Sequence, residues 1–262
     1  MCTTCGCGDP AGTRYTALRH DHSHDHSHGH HHPHDRGAGA RTVPLEERVL
    51  ARNDQLAAAN RRLLAERGVH AVNLMSSPGS GKTTLLERTI RELGDSVPVA
   101  VVEGDQETLL DAERIRATGR PVVQINTGEG CHLDAAMLER GLRELDLAPR
   151  SLVFVENVGN LVCPALFDLG ESTRVVVMSV TEGEDKPLKY PHMFRTADLV
   201  LLNKIDLLPH VEFDVARCAQ QIRRINPGAD VLHVSATRGA GLPEWCAWLR
   251  KRAITIYCEP EI

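Results

Sequence analysis

The sequence predicts an α/β fold in which a mostly parallel central sheet is flanked by helices, with a flexible metal-binding tail at the N-terminus. Two features predict the folded part. After Gly68, short β-branched runs alternate with longer amphipathic stretches, which is the rhythm of strand and helix. Several runs, such as Val99-Ala100-Val101-Val102 and Val175-Val176-Val177, are apolar on both faces, and such strands lie in parallel sheets covered on both sides. A third feature predicts the tail: nine of the 14 histidines and three of the eight cysteines precede residue 41.

Residues 1–43 form the tail. They are rich in His, Asp, Ser and Gly, and Tyr15, Leu18 and Val43 are almost their only sizeable apolar side chains, so without metal no core offsets the entropy of ordering them. Residues 44–68 read as an amphipathic helix packed on the domain that follows. Val49, Leu56 and Leu63 recur every seven residues, Leu45, Leu50 and Leu64 widen the stripe, and Gly68 ends it. Residues 69–262 form the α/β domain. Its strands are expected at 71–75, 97–103, 122–126, 152–156, 175–180, 199–203 and 231–235, and its helices at 82–93, 108–118, 132–145, 213–225 and 242–252.

Composition narrows the function classes. The chain has 262 residues and a formal net charge of −5 with the signs interspersed, so it lacks the basic stripe that nucleic acids and anionic membranes require. No apolar run approaches the ~18 residues of a membrane span, and the N-terminal Met-Cys-Thr-Thr-Cys-Gly-Cys-Gly has neither a basic nor an apolar leader region. A cytoplasmic protein without membrane insertion or nucleic-acid partner is expected. In that reducing compartment closely spaced thiols act as metal ligands more than as disulfides.

The first strand runs into Ser76-Ser77-Pro78-Gly79-Ser80-Gly81-Lys82-Thr83-Thr84, and a helix follows. In such a P-loop, backbone N–H groups and a helix N-terminus wrap a diphosphate. Lys82 reaches the outer phosphate oxygens, and the Thr83 hydroxyl holds Mg²⁺. Ser76 stands where the usual pattern has its first glycine. Downstream, Asn203-Lys204-Ile205-Asp206 follows an apolar strand. A carboxylate there accepts two hydrogen bonds from guanine that adenine cannot offer, so Asp206 selects guanine. Lys204 lies along the base, and a backbone N–H of the Ser235-Ala236-Thr237 loop meets the guanine oxygen. Asp105 and Glu156 end two strands and are placed to hold Mg²⁺, with helix capping as the alternative for Asp105. Gly159 is placed to sense the γ-phosphate. Asn160 follows it where a water-orienting glutamine would be useful, and no arginine stands out as a finger, so a slow intrinsic GTPase is expected.

Cys2, Cys5 and Cys7 put three thiolates within six residues, enough to chelate one soft or borderline ion. Square-planar coordination with the N-terminal amine favours nickel, and a zinc knot is the alternative. The histidines, alternating with Asp and Ser unlike an affinity tag, suit weak binding of several ions. Cys131 and His132 open a helix, and Cys163 lies four residues beyond Gly159. Neighbours on a helix point about 100° apart, so Cys131 and His132 share an ion if Cys131 is still in the loop or if a second chain contributes, which favours a site at a two-fold interface. Cys218, Cys246 and Cys258 read as structural.

The segments E-G-D-Q, G-C-H-L-D, E-N-V-G-N-L-V-C-P, E-G-E-D-K-P-L-K-Y-P and N-K-I-D, together with the phosphate loop and the Cys/His tail, resemble the HypB family of hydrogenase nickel-incorporation GTPases in the SIMIBI class of P-loop GTPases. The resemblance covers almost everything from Cys2 onward. It implies a GTP-switched homodimer that passes Ni²⁺ to a HypA-like metallochaperone and so to the hydrogenase large subunit. It also implies a high-affinity nickel site at Cys2, Cys5 and Cys7, and a Ni²⁺ or Zn²⁺ site at Cys131, His132 and Cys163. Because Cys163 shares a short segment with Gly159, GTP and GDP states are expected to hold nickel differently. A storage protein and a small-molecule kinase are the rival classes. The guanine-selective Asp206 argues against the kinase.

Overall fold

In the computed structural model, which describes residues 45–106 and 110–258, seven strands form one sheet. They are β1 (His70–Ser76), β2 (Val99–Asp105), β3 (Val122–Asn126), β4 (Leu152–Glu156), β5 (Thr173–Ser179), β6 (Leu199–Asn203) and β7 (Asp230–His233). The order is β3-β2-β4-β1-β5-β6-β7, and every neighbouring pair is parallel. The chain leaves β1, builds β2 and β3 outward on one side, returns to insert β4, and then continues on the other side. The order therefore reverses beside β1, and ligands of open parallel sheets bind in the crevice at such a reversal. The phosphate loop is the segment that leaves β1 there. The tail residues Cys2, Cys5 and Cys7, with the histidine tract, lie outside the described residues.

The helices are α1 (Leu45–Glu66), α2 (Lys82–Leu93), α3 (Leu110–Arg116), α4 (Ala135–Glu144), α5 (Lys186–Lys189), α6 (Pro191–Arg195), α7 (Val215–Ile225) and α8 (Leu242–Cys258). Alternation along β4 divides the core. Leu152 and Phe154 join Leu85, Ile90 and Trp245 of α2 and α8 on one face, while Val153 and Val155 join Leu64, Leu138 and Leu142 of α1 and α4 on the other. This double coverage is why the strands read as unbroken apolar runs. Boundaries shift where chemistry requires. β2 begins at Val99, after Pro98, which has no N–H for the ladder. α4 begins at Ala135 rather than His132 because the Asp134 carboxylate accepts the Met137 N–H at 2.7 Å and caps it. The short helices α5 and α6, each with a proline at its start, were not expected from the sequence.

α1 forms where expected, but the face it docks is rotated from the heptad toward Leu64, the one stripe residue among those described that is fully buried. Val49 is 45% exposed, and the buried positions are Asn53, Ala57, Asn60 and Leu64. The partners are polar backbone ends, which explains the two asparagines. Asn53 accepts the Ala135 N–H at 2.9 Å and donates to the Asp168 carbonyl at 2.7 Å. Asn60 donates to the carbonyls of Ala135 and Leu169, both at 2.9 Å. Gly170, at φ +87°, passes so close that a Cβ there would lie 2.3 Å from the Ala57 carbonyl oxygen. Replacing Asn60 by alanine strands two buried carbonyls and is expected to cost about 2–3 kcal/mol, read as a lower midpoint in chemical unfolding. An unchanged midpoint would show that α1 contributes nothing to the fold through this contact.

Candidate functional site

The phosphate loop needs its glycines: Gly79 and Gly81 have φ of +72° and +94°, a region most side chains avoid. A Cβ on Gly81 would also lie 2.7 Å from Asn203 Nδ2. Ser76, in place of the usual first glycine, has a use here, because its Oγ accepts a 2.8 Å bond from Lys82 Nζ and so holds the ammonium over the loop. Pro78 lies against Gly159, where a Cβ would come within 3.0 Å of the loop backbone. The expected γ-phosphate sensor therefore touches the phosphate loop directly. Thr84 accepts a bond from Arg114 at 3.0 Å, which ties α3 to the start of α2.

The residues expected to select guanine assemble around the same loop. Asn203 donates to the Ser80 carbonyl at 2.9 Å, Lys204 donates to the Gly79 carbonyl at 2.7 Å, and the Ser235 hydroxyl donates to Asp206 Oδ1 at 2.5 Å. The Ala236 N–H is donated to Asn203 Oδ1 at 3.1 Å and fixes the loop. Sequence reasoning also missed Glu182, whose carboxylate accepts the Ser77 hydroxyl and, at 3.0 Å, the Ser179 N–H.

At the ends of β2 and β4 the acidic groups converge. Thr83 Oγ1 donates to Glu156 Oε1 at 2.6 Å. Burial raises the Glu156 carboxyl above the usual range, opposed by the Lys82 charge and the Thr83 bond. Asp105 is half-buried at the end of β2 and accepts the Gln106 N–H at 2.8 Å. The residue missed from sequence is Glu103, which pairs in register with Glu156 and is 2% exposed. Its pKa is pushed up to about 8, first by burial and then by Glu156 and Asp105. One buried oxygen on Glu103 and one on Glu156 lack a hydrogen-bond partner among the described residues. Two orphaned carboxylate oxygens beside a threonine hydroxyl fit a hard divalent cation such as Mg²⁺.

A carboxyl whose folded pKa is raised contributes stability that is complete below about pH 4.5 and lost as pH rises through about 8. Cation binding must then release that proton, so the apparent Mg²⁺ affinity is expected to rise between pH 7 and about 9. Titrating Mg²⁺ across this range checks it, and in Glu103→Gln the rise should disappear.

A second constellation lies nearby. Because α4 starts late, Cys131 and His132 both remain in the loop, and Cys163 approaches from the 3-10 turn Cys163–Ala165. The two Sγ atoms are 2.9 Å apart, Cys131 Sγ lies 3.7 Å from His132 Nδ1, and the three ligand atoms lie within 4.8 Å of one another. One chain alone brings them together. The two cysteines are half-buried, while His132 is buried and packed on the Phe167 ring at 4.0 Å between centroids. Burial lowers the His132 pKa, against the pull of Asp134, and so keeps the imidazole neutral, the form that ligates metal. Two thiols and one imidazole suit nickel or zinc. Cys218 and Cys246 are buried, and burial pushes their thiols to about 12 and about 11, as expected of structural cysteines.

Residues 70–233 match the profile described as CobW/HypB/UreG, nucleotide-binding domain. The chain is 57% identical over 213 residues to a hydrogenase maturation factor HypB from Azotobacter chroococcum, covering 81% of this chain and 70% of that protein. It is 56% identical over 209 residues to the one from Escherichia coli K12, covering 80% and 72%. Among solved structures, HypB from Helicobacter pylori in complex with nickel superposes with a TM-score of 0.75 at 37% identity, covering 80% of this chain and 99% of that one. HypB from Archaeoglobus fulgidus gives 0.73 at 44%, covering 78% and 100%.

Proposed function

This chain belongs to the CobW/HypB/UreG family, among the hydrogenase maturation factors HypB, and we propose that it is a GTP-hydrolysing metallochaperone that delivers Ni²⁺ for maturation of nickel-iron hydrogenase. Metal release is coupled to the GTP or GDP state. One observation carries this reading: the short segment from Glu156 to Cys163 begins at the Thr83 contact of the nucleotide site and ends at a ligand of the Cys131–His132–Cys163 site.

In the reaction, the backbone from Gly79 to Thr84 cradles the phosphates and Lys82 neutralises the outer ones. Asp206 holds the guanine edge, steadied by Ser235. Thr83, Glu156, Asp105 and Glu103 are the residues that would hold Mg²⁺, which supplies charge stabilisation to the departing phosphate when bound. The Asn160 side chain accepts the Val162 N–H at 2.8 Å and so is engaged within its own turn, which supports slow intrinsic turnover. Nickel is the cargo, taken by Cys131, His132 and Cys163, with Zn²⁺ able to compete for the same donors. The tail cysteines Cys2, Cys5 and Cys7 form a separate nickel site. The nickel complex of the H. pylori relative supports this assignment. The protein works as a cytoplasmic homodimer that passes nickel to a HypA-like metallochaperone and then to the hydrogenase large subunit. Among the described residues no helix is long and apolar enough to cross a membrane.

Metal analysis and nucleotide identification on untagged protein from nickel-supplied cells test this reading. Bound nickel with a guanine nucleotide is expected. An adenine nucleotide, or protein without nickel, would contradict it.

A further inference from the structure

We propose that Asn157 is the latch through which nucleotide occupancy reaches the Cys131–His132 loop. This rests on the coupled function proposed above and adds a second arm to it. The first arm is covalent, from Gly159 to Cys163, and leaves open how the loop bearing the other two ligands responds.

Asn157 directly follows Glu156, the partner of Thr83, and is 1% exposed. Its side-chain Oδ1 accepts two backbone N–H groups, that of Val158 at 3.0 Å and that of Leu133 at 3.1 Å. The Val158 bond belongs to its own turn. The Leu133 bond crosses to the residue next to His132. Asn157 Nδ2 donates at 3.4 Å to Asn73 on β1, which fixes which end of the amide faces Leu133. Leu133 is fully buried, and it rests on the neighbouring strand end as well: a Cβ on Gly104 would lie 2.7 Å from its Cγ. Gly104 stands between Glu103 and Asp105. Farther along the same loop, Gln106 Nε2 donates to the Gly130 carbonyl at 3.3 Å. The loop that carries Cys131 and His132 therefore leans on the ends of β2 and β4, the two strands that carry Glu103, Asp105 and Glu156.

A buried N–H cannot be left unpaired without a penalty of about 1–3 kcal/mol, so Leu133 must follow Asn157 when the β4 end moves toward a γ-phosphate. Gly159 then draws Cys163 while Asn157 draws Cys131 and His132, and the three ligand atoms change their separation together. Asn157 contacts neither nucleotide nor metal in this scheme and acts as a positioning residue.

The test uses the full chain with Cys2, Cys5 and Cys7 replaced by serine, so that nickel–thiolate absorbance reports the internal site. Nickel affinity is measured with GDP and with a non-hydrolysable GTP analogue bound. The parent is expected to show a ratio on the order of 10 between the two states, within the usual range of coupling. Asn157→Ala should still bind nucleotide and nickel, but with a ratio near one. Asn157→Ser, a smaller polar side chain unable to span to Leu133, guards against a failure of the alanine variant to fold and should behave alike. A parent ratio of one overturns the coupled function and the latch together. A parent ratio that survives in Asn157→Ala or Asn157→Ser overturns the latch alone.

Discussion

Asp206→Asn is expected to move the nucleotide preference from guanine to xanthine. The Ser235 hydroxyl donates to Asp206 Oδ1, and it can donate to the asparagine Oδ1 in the same place. The new amide is thereby oriented with Oδ1 toward Ser235 and Nδ2 on the outer side. That outer position faces the exocyclic amine of guanine, donor against donor, whereas xanthine presents a carbonyl oxygen at the same edge. Sites built to hydrogen-bond a group reject analogues lacking it by large factors, so GDP affinity should fall on the order of 1,000-fold while xanthosine diphosphate gains. Competition binding with the two nucleotides checks it. Retained guanine preference would remove Asp206 from the base site.

Removing either thiol from the internal constellation should have the second large effect. With Cys131→Ala or Cys163→Ala the remaining donors are one thiol and the His132 imidazole, too few to hold a borderline ion tightly. Internal-site nickel affinity is expected to fall at least ~100-fold, since even outer-shell changes at metal sites cost 10–100-fold. Nickel titration against a competing chelator, in protein lacking the tail cysteines, is the measurement. Both thiols are half-buried, so the loss is expected without unfolding. Unchanged affinity would place the metal elsewhere. Because burial lowers the His132 pKa, the imidazole stays available as a ligand to lower pH than free histidine.

Most of the fold was legible because its cause is local. All seven strands were readable from the sequence, the inner β4, β5 and β6 as runs of apolar residues, since a sheet covered on both faces leaves no polar alternation to confuse them, while the edge strands β3 and β7 are only half-buried. The phosphate loop was equally legible, because left-handed backbone at Gly79 and Gly81 restricts residue type. What could not be read depends on register and docking. Glu103 looks like an ordinary strand residue until β2 and β4 are aligned and it falls opposite Glu156. The heptad of Val49, Leu56 and Leu63 suggested the docking face, whereas α1 docks through Ala57, Leu64 and two asparagines whose partners, the backbone of Ala135, Asp168 and Leu169, come from distant segments. Asp134 offered a usable signal: a capping residue just inside the expected helix start. Reading it would have left Cys131 and His132 in the loop and made the single-chain constellation plain from the sequence.

The most direct measurement of the account is nickel release during a single turnover. Protein loaded with nickel and GTP is mixed with Mg²⁺ and a chromogenic chelator, and phosphate and free nickel are followed together. Nickel is expected to leave with the rate constant of phosphate formation and to stay bound when a non-hydrolysable analogue replaces GTP. Release at one rate regardless of nucleotide would contradict it.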